Sequence, residues 1–342
     1  SDSIQELMVA NNKIPAFISI DQEGGRVARL TKGGTHFISN MAMGATGDYQ
    51  NTYLEGKAMG FELRNYGINV DFAPVLDVNN NPENPIIGIR SYSDNPLLVS
   101  LYGKNMFLGL KESNVMGCAK HFPGHGNTSV DSHYGLPTIT SSRDELYQTE
   151  LAPFISAACN GIDAIMTTHI IFSSIDQEYP ATLSEKVLTN LLRDEIGYDG
   201  LIITDGMEMN AVSKYFGDYD KTAVLAVKAG ADILTYTTTA NPIKAFEGIK
   251  KAVYLYGGVQ SSLYTSLKNS SSSSVYYNKE KYAYCYVGTE KPNHDIVIVG
   301  WDDNYPKENF NTELEGDGAF ICMNSWGENF GDDGLFYVSY YD

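Results

Sequence analysis

Three of the six histidines of this chain lie in one stretch, Lys120–Pro137. Asp131 and His133 in that stretch are two positions apart, so in an extended segment both side chains face the same way. An aspartate close to a histidine fixes the imidazole tautomer and stabilises its protonated form. With an ordinary pKa of about 6.5, such an imidazole suits general acid–base catalysis at neutral pH. A metal cluster or plain surface histidines remain alternatives, although the Gly and Pro content and the lack of nearby Cys or Glu argue against metal.

Other candidate residues follow short apolar runs. Asp205 comes directly after the apolar run 201–204 and could attack an anomeric carbon or bind a metal. It could equally cap the helix that follows. Asp21 opens a glycine-containing segment, Asp21–Val27, whose acids could bind sugar hydroxyls. Arg90 could donate to a hydroxyl or an acetamido carbonyl, or it could form an ion pair.

The segments that must position these residues alternate between apolar runs and amphipathic stretches over residues 1–250. This alternation predicts an α/β fold with buried parallel strands covered by helices. Strands are predicted at Ala16–Ile20, Val70–Leu76, Val115–Lys120, Ala164–Thr168, Leu201–Thr204 and Asp232–Tyr236. Helices are predicted at Thr52–Tyr66, Pro96–Ser113, Arg143–Asn160, Ser184–Ile196 and Thr222–Ala229.

The ends of five predicted strands carry polar residues, as the catalytic face of a β/α-barrel does. They are Asp21, Asp77, Lys120 with His121, His169 and Asp205. A closed (β/α)8 TIM barrel has eight strands and six are visible here, so we expect a barrel that lacks its first two βα units.

The sequence changes character after about residue 250. A serine-rich, linker-like run occupies Ser261–Ser274, and aromatic, strand-like runs separated by turns follow it. This pattern predicts two domains, a β/α barrel over 1–250 and a small, mainly antiparallel β half-domain over 251–342.

Bulk composition limits the classes of partner. Hydrophobic residues make up 43% of the 342 residues and the formal net charge is −18, which predicts a packed core and an acidic surface that repels nucleic acid and anionic membranes. The sequence has no apolar stretch of the roughly 18–20 residues that a membrane helix needs. None of the four cysteines forms a C-x-x-C pair, so a structural zinc site is not expected. Compartment and oligomeric state are not specified.

Several segments together resemble glycoside hydrolase family 3, specifically its bacterial β-N-acetylglucosaminidase branch. The resemblance covers about residues 1–250 in the family's order, and its most specific motif is the Lys120–Pro137 stretch. The other matching segments are Ile20–Val27, Asp71–Asp77, Pro180–Ser184 and Ile203–Met209.

This resemblance implies a retaining, two-step hydrolysis that removes terminal N-acetylhexosamine, for example from chitin oligomers or peptidoglycan fragments. Asp205 would be the nucleophile, and His133, assisted by Asp131, would be the acid–base residue in place of the usual second carboxylate. No metal or organic cofactor is implied. The resemblance assigns sugar binding to Asp21, Arg90, Lys120 and His121, with His169 as a further candidate.

A second resemblance, to the C-terminal half of papain-family cysteine peptidases, runs from about residue 251 to the end. It rests on Asn293–Trp301 and Asn324–Gly331. In that family His294 would pair with a catalytic cysteine and Asn324 would orient the imidazole. No upstream cysteine has the family's C-G-[SA]-C-[WY] context, so we expect a vestigial pair. The alternatives to an active hexosaminidase are therefore an inactive chimera and, less favoured, a cysteine peptidase.

Overall fold

The structure, a computed structural model, divides into two compact units, Phe17–Pro242 and Ile243–Asp342. It describes residues 5, 16–129, 135–217, 219–236, 248, 250, 259–269, 271–288, 293–324, 326 and 329–342. The predicted residues Asp131 and His133 lie outside this described part. In the described part, no helix combines the length and the apolar character that crossing a membrane requires.

The first unit is built on a six-stranded sheet in which every strand pairs in parallel with the next along the chain. This arrangement confirms the predicted α/β class with a parallel sheet. Consecutive parallel pairing requires crossover segments between strands, and the alternating helices supply them. The strands are β1 (Ser19–Ile20), β2 (Val70–Asp71), β3 (Met116–Phe122), β4 (Ala164–Thr167), β5 (Leu201–Gly206) and β6 (Ile233–Thr235).

Helices cover this sheet and bury its apolar side chains. Phe122 at the end of β3, for example, packs edge to face on Phe154 with ring centroids 5.4 Å apart. The predicted helix over 143–160 is broken at Thr149–Leu151 into two pieces. The helices are Asn40–Ala45, Gln50–Asn65, Pro96–Glu112, Arg143–Gln148, Ala152–Cys159, Lys186–Glu195 (wound as a π-helix), Asn210–Phe216 and Tyr219–Ala229.

Local sequence signals set where these helices begin. Asn95 accepts hydrogen bonds from the backbone N–H groups of Leu97 and Leu98, and Pro96 occupies the first turn, where its missing N–H costs nothing. Ser142 and Glu145 form a reciprocal capping box at the start of Arg143–Gln148.

The second unit contains a separate six-stranded sheet that is mainly antiparallel. Its strands are β7 (Val259–Leu263), β8 (Tyr277–Asn278), β9 (Ala283–Tyr284), β10 (His294–Asp302), β11 (Ala319–Asn324) and β12 (Leu335–Ser339). Their spatial order is β7–β10–β11–β12–β9–β8, and β9 with β12 is the one parallel pair among these described strands. Tyr305 stacks on Tyr337 in the core that covers one end of this sheet.

Candidate active site

A cavity of about 670 Å³ opens at the carboxyl ends of the parallel strands of the first unit. Parallel strands that start at one edge of a sheet also end at one edge, so residues far apart in sequence meet there. Five of the predicted site residues line this cavity. They are Asp21, Arg90, Lys120, His121 and Asp205.

Lys120 sits at the centre of a buried ion-pair network. Its ammonium nitrogen lies 2.6 Å from Oδ1 of Asp21 and 2.8 Å from Oε1 of Glu23, and the side chain is 2% exposed. Burial alone would lower the pKa of Lys120, but the carboxylates of Glu23 and Asp21 raise it. Lys120 therefore stays charged inside the site.

Glu23 also binds Arg90, through two parallel hydrogen bonds. Nη2 of Arg90 donates to Oε1 at 2.8 Å and Nε donates to Oε2 at 2.9 Å. Burial alone would raise the pKa of Glu23. The positive charges of Lys120 and Arg90 instead lower it to about 2. The ion pair considered for Arg90 is thus present, and it orients the guanidinium at the wall of the cavity.

Asp77 holds His121 in one orientation. The carboxylate, which is fully buried, accepts from Nδ1 of His121 at 2.7 Å and from the backbone N–H groups of His121 and His125 at 3.2 and 2.6 Å. Burial would raise the pKa of Asp77, but His121 and His125 lower it. An ionised carboxylate only accepts, so Nδ1 of His121 carries a proton and Nε2 is left to face the cavity side, 3.5 Å from Nη2 of Arg90.

The loop that leads toward Asp131 and His133 is anchored by Asn84. The side-chain amide of Asn84 donates to the carbonyls of His125 and Gly126, both at 2.8 Å. A Cβ at Gly126 would lie 1.7 Å from the carbonyl oxygen of Val78, so this position requires glycine. Burial and the neighbouring His121 lower the pKa of His125 to about 4, which leaves that imidazole neutral. His125 also lines the cavity.

Asp205 lies within β5, close to its carboxyl end, and faces the cavity. Its Oδ1 accepts from the backbone N–H of Gly206 at 2.7 Å. Burial would raise the pKa of Asp205, but His169, His121, that N–H and Lys120 lower it, so the carboxylate is ionised at neutral pH. The helix that follows begins at Asn210 with Met209 as N-cap, so Asp205 does not cap it. An ionised carboxylate at a cavity wall can act as a nucleophile.

His169, in contrast, is fully buried and does not line the cavity. Its Nε2 lies 3.0 Å from the carbonyl oxygen of Gly206 and its Nδ1 lies 2.8 Å from Oγ1 of Thr182. Both ring nitrogens are therefore engaged within the protein.

Sequence reasoning did not select Arg29 or Asn84 for this site. It placed Asp77 at a strand end and His125 in the Lys120–Pro137 stretch, without giving either a role. Arg29 and His125 line the cavity, whereas Asp77 and Asn84 lie behind it. The nearness of Arg29 to the Asp21–Val27 segment was a usable signal. The roles of Asp77 and Asn84 depend on contacts more than forty positions away, which spacing does not reveal.

The second unit contains the predicted pair His294 and Asn324. Nε2 of His294 lies 2.9 Å from Oδ1 of Asn324, and the ring of Trp326 lies 4.6 Å from the imidazole, centroid to centroid. The two cysteines of this unit, Cys285 and Cys322, are fully buried, and burial raises the pKa of each thiol. Thiols of this kind are poor nucleophiles.

Comparison with known proteins gives two family matches. The model described as "Glycosyl hydrolase family 3 N terminal domain" matches residues 1–257, and that of the papain family cysteine proteases matches residues 198–341. The two matches share residues 198–257.

Relatives and solved structures agree with the first match. "Beta-hexosaminidase A" of Pseudoalteromonas piscicida is 42% identical over 243 residues, which are 66% of this chain and 40% of the relative. "Beta-hexosaminidase LpqI" of Mycobacterium tuberculosis is 33% identical over 259 residues, 73% of this chain and 66% of the relative. A family 3 β-N-acetylglucosaminidase structure from Paenibacillus sp. is 46% identical with a TM-score of 0.71, covering 73% of this chain and 48% of that one.

This chain thus spans less than two thirds of the length of each of these three proteins. The family 3 model nevertheless matches 257 of the 342 residues of this chain. The matched residues include those that line the cavity and the strands around it. The chain belongs to glycosyl hydrolase family 3.

Proposed function

We propose that this chain is a retaining β-N-acetylhexosaminidase that removes terminal N-acetylglucosamine or a related N-acetylhexosamine from a carbohydrate. The observation that carries the proposal is Asp205, an ionised carboxylate at the wall of a cavity lined with cationic and hydrogen-bonding side chains. The relatives named β-hexosaminidase support the choice of sugar.

In this proposal Asp205 attacks the anomeric carbon and forms a covalent glycosyl–enzyme. His133, assisted by Asp131, protonates the leaving oxygen and then activates the water that releases the sugar. Asp21, Arg90, Lys120 and His121 hold the sugar, since each lines the cavity and carries a polar group fixed by its neighbours.

We further propose that β1–β6 correspond to six of the eight strands of a (β/α)8 barrel. Their order along the sheet follows the chain, and every pairing is parallel, as a barrel requires. Residues 1–250 would then form the barrel domain and 251–342 a papain-like β half-domain.

Release of nitrophenol from an aryl β-N-acetylglucosaminide tests the function. We expect the wild-type chain to be active and both Asp205→Ala and His133→Ala to lose at least about a thousandfold in kcat/KM. Asp163→Ala is a matched control, because Asp163 pairs with Lys111 on the exposed surface. A folded wild-type protein without activity would contradict the proposal.

For the second unit we propose that His294 and Asn324 are a vestigial pair without a nucleophile. The buried, poorly ionised thiols of Cys285 and Cys322 support this proposal. Incubation with an epoxide inhibitor of cysteine peptidases should leave the chain unlabelled, and labelling of any cysteine that His294→Ala abolishes would contradict it.

A further inference from the structure

His169 lies directly behind Asp205 rather than in the cavity with it. It follows β4, next to β5 in the sheet, and is 0% exposed. A buried imidazole with both nitrogens engaged cannot hold a sugar hydroxyl, so the direct sugar contact considered for His169 has no support in this geometry.

The hydrogen bonds fix which ring nitrogen of His169 carries a proton. The carbonyl of Gly206 can only accept, and it already accepts from the backbone N–H of Met209 at 3.0 Å. Nε2 of His169 must therefore be an N–H that donates to the second lone pair of this oxygen.

Nδ1 of His169 faces a group that can adapt to either charge state. The hydroxyl of Thr182 can donate to a neutral Nδ1. It can also accept from a protonated Nδ1 and turn its own proton to the carbonyl of Thr168, 3.0 Å away. The ring keeps its hydrogen bonds in both states, so the environment supports a cation here.

Gly206 connects this histidine to the carboxylate of Asp205. The same glycine whose carbonyl accepts from His169 donates its N–H to Oδ1 of Asp205 at 2.7 Å. Clamping the Gly206 carbonyl therefore limits the rotation of the backbone that carries and orients the carboxylate. A displacement of about 1 Å at a reacting group costs about a hundredfold in rate.

We infer that His169 is a positioning residue for Asp205, acting through an Nε2–H bond that fixes the Gly206 carbonyl. The inference rests on the proposed function, because it takes Asp205 as the nucleophile. His169 then sets the direction of attack without touching the substrate.

Two substitutions separate this role from sugar binding and from general packing. In His169→Gln the amide nitrogen occupies the place of Nε2 and can still donate to Gly206. In His169→Asn the amide nitrogen occupies the place of Nδ1 and reaches only Thr182. We expect His169→Asn to lose about a hundredfold in kcat with KM little changed, and His169→Gln to stay within about tenfold of wild type.

A second readout uses the effect of the His169 imidazole on the pKa of Asp205. The charged and titratable groups that act on Asp205 within the described part of the chain include His169 on the β4 side, Lys120 and His121 on β3, His125 in the loop after β3, and Arg90. The imidazole of His169 lowers the pKa of Asp205. Both substitutions remove that imidazole, so the pKa of Asp205 should rise. The acid limb of kcat/KM should move to higher pH in both variants, whereas kcat on the plateau should fall only in His169→Asn.

If kcat fell equally in the two variants, and in proportion to the decrease in Tm, His169 would have a merely structural role. That result would overturn the inference. A rise in KM without a fall in kcat would point to sugar contact and would also overturn it.

Nitrogen-15 NMR of the histidine-labelled wild-type chain gives a test that does not need activity. We expect the Nε2 resonance of His169, assigned by its loss in His169→Gln, to be of the protonated type at every pH where the chain is folded. An unprotonated Nε2 would overturn the inference. If Nε2 is protonated but Asp205→Ala retains full activity, the proposed nucleophile fails while the hydrogen bond to Gly206 stands.

Discussion

At the scale of single residues, Glu23 organises the cations of the site. One buried carboxylate binds Lys120 through Oε1 and Arg90 through both oxygens. The side chains of Lys120 and Arg90 are long and flexible, and ordering such a side chain costs considerable rotamer entropy. Without a partner, neither cation would stay at the cavity wall. The carboxylate fixes both, and because it is 2% exposed it has little access to substrate itself.

Replacing Glu23 by glutamine should therefore damage both stability and catalysis. The variant keeps the shape but removes the carboxylate that pairs with Arg90, and it leaves Lys120 with Asp21 alone. Breaking a buried ion pair costs about 3–5 kcal/mol. We expect Glu23→Gln to lower Tm by about 6 °C or more and kcat/KM by at least about tenfold. Thermal unfolding and the nitrophenol assay measure the two effects.

Glu112→Gln is the matched control for this substitution. Glu112 pairs with Lys57 at 3.3 Å, but both side chains are about half exposed, and surface pairs of this kind contribute about 0–1 kcal/mol. If Glu23→Gln were as mild as the control, Glu23 would not be the residue that organises the site.

At the scale of elements, Asn84 joins two segments that line or approach the cavity. Its amide nitrogen donates to the carbonyls of His125 and Gly126, and its Oδ1 accepts from the backbone N–H groups of Ile86 and Ile87. The first contact anchors the loop after β3. The hydrogen bonds to Oδ1 anchor the turn that precedes Arg90. The side chain of Asn84 therefore sets the spacing between this turn and the loop after β3.

Asn84→Ala should loosen both segments at once. These four hydrogen bonds are lost, together with a longer one of 3.3 Å from the amide nitrogen to Oγ1 of Thr128. Each buried polar group left unpaired costs about 1–3 kcal/mol. We expect kcat to fall by about tenfold or more and hydrogen exchange of the amides of Ile86, Ile87 and the 125–128 segment to increase together. Asn160→Ala, which removes an exposed asparagine that bonds Ser156 at a helix end, should leave both measurements unchanged. Faster exchange in only one of the two segments would show that Asn84 does not couple them.

The elements themselves were largely predictable, and the reason is local. Apolar runs bounded by polar residues fixed all six parallel strands, although β1 and β2 are each only two residues long and thus shorter than predicted. The predicted helix starts at Pro96 and Arg143 agree with the structure, whereas those at Thr52, Ser184 and Thr222 differ from it by two or three residues. Short-range hydrophobic and turn patterns carry this information.

The supporting residues of the site were less predictable, because their roles arise only when distant segments meet. Arg90 and Glu23 are 67 positions apart, and His121 and Asp77 are 44 apart. The motifs and strand ends identified five of the residues that line the cavity. They did not indicate Asn84 or the contacts of Asp77, because the partners of these two residues are backbone groups and histidines brought close by the parallel sheet. The assignment of Asp131 and His133 stays a prediction.

At the scale of the whole molecule, acidic groups outnumber basic ones by 42 to 24. The buried acids of the first unit fall into two kinds. Glu23 and Asp77 are paired with cations or histidines, which lower their pKa. Burial instead raises the pKa of Glu55 and Asp71, and each has a carboxylate oxygen without a hydrogen-bond partner in the described part of the chain.

These two kinds of acid give opposite dependences of stability on pH. Glu23, with a pKa of about 2 against an ordinary 4.5, contributes stability above about pH 4.5 that is lost as pH falls toward 2. Glu55, with a pKa of about 8, binds more protons in the folded than in the unfolded chain between about pH 4.5 and 8. Stability therefore decreases as pH rises through that range. The first unit should be most stable in mildly acidic solution.

Glu55→Gln tests the alkaline side of this curve. Glu55 lies on helix Gln50–Asn65, which packs closely on helix Pro96–Glu112 because Gly56 sits against the carbonyl of Met106. Ionising Glu55 in that interface costs up to about 5 kcal/mol, at about 1.4 kcal/mol per pKa unit. A neutral amide avoids this cost. We expect Glu55→Gln to have a higher Tm than wild type at pH 9 and a similar Tm at pH 5, by calorimetry at both values.

Glu62→Gln, on the same helix but bonded to Thr35 at the surface, should show no such pH-dependent gain. If Glu55→Gln had the same Tm as wild type at pH 9, the ionised carboxylate of Glu55 in wild type would have to reach water or a cation. The helix pair would then have to open at high pH, and faster hydrogen exchange across Gln50–Asn65 in wild type alone would reveal it.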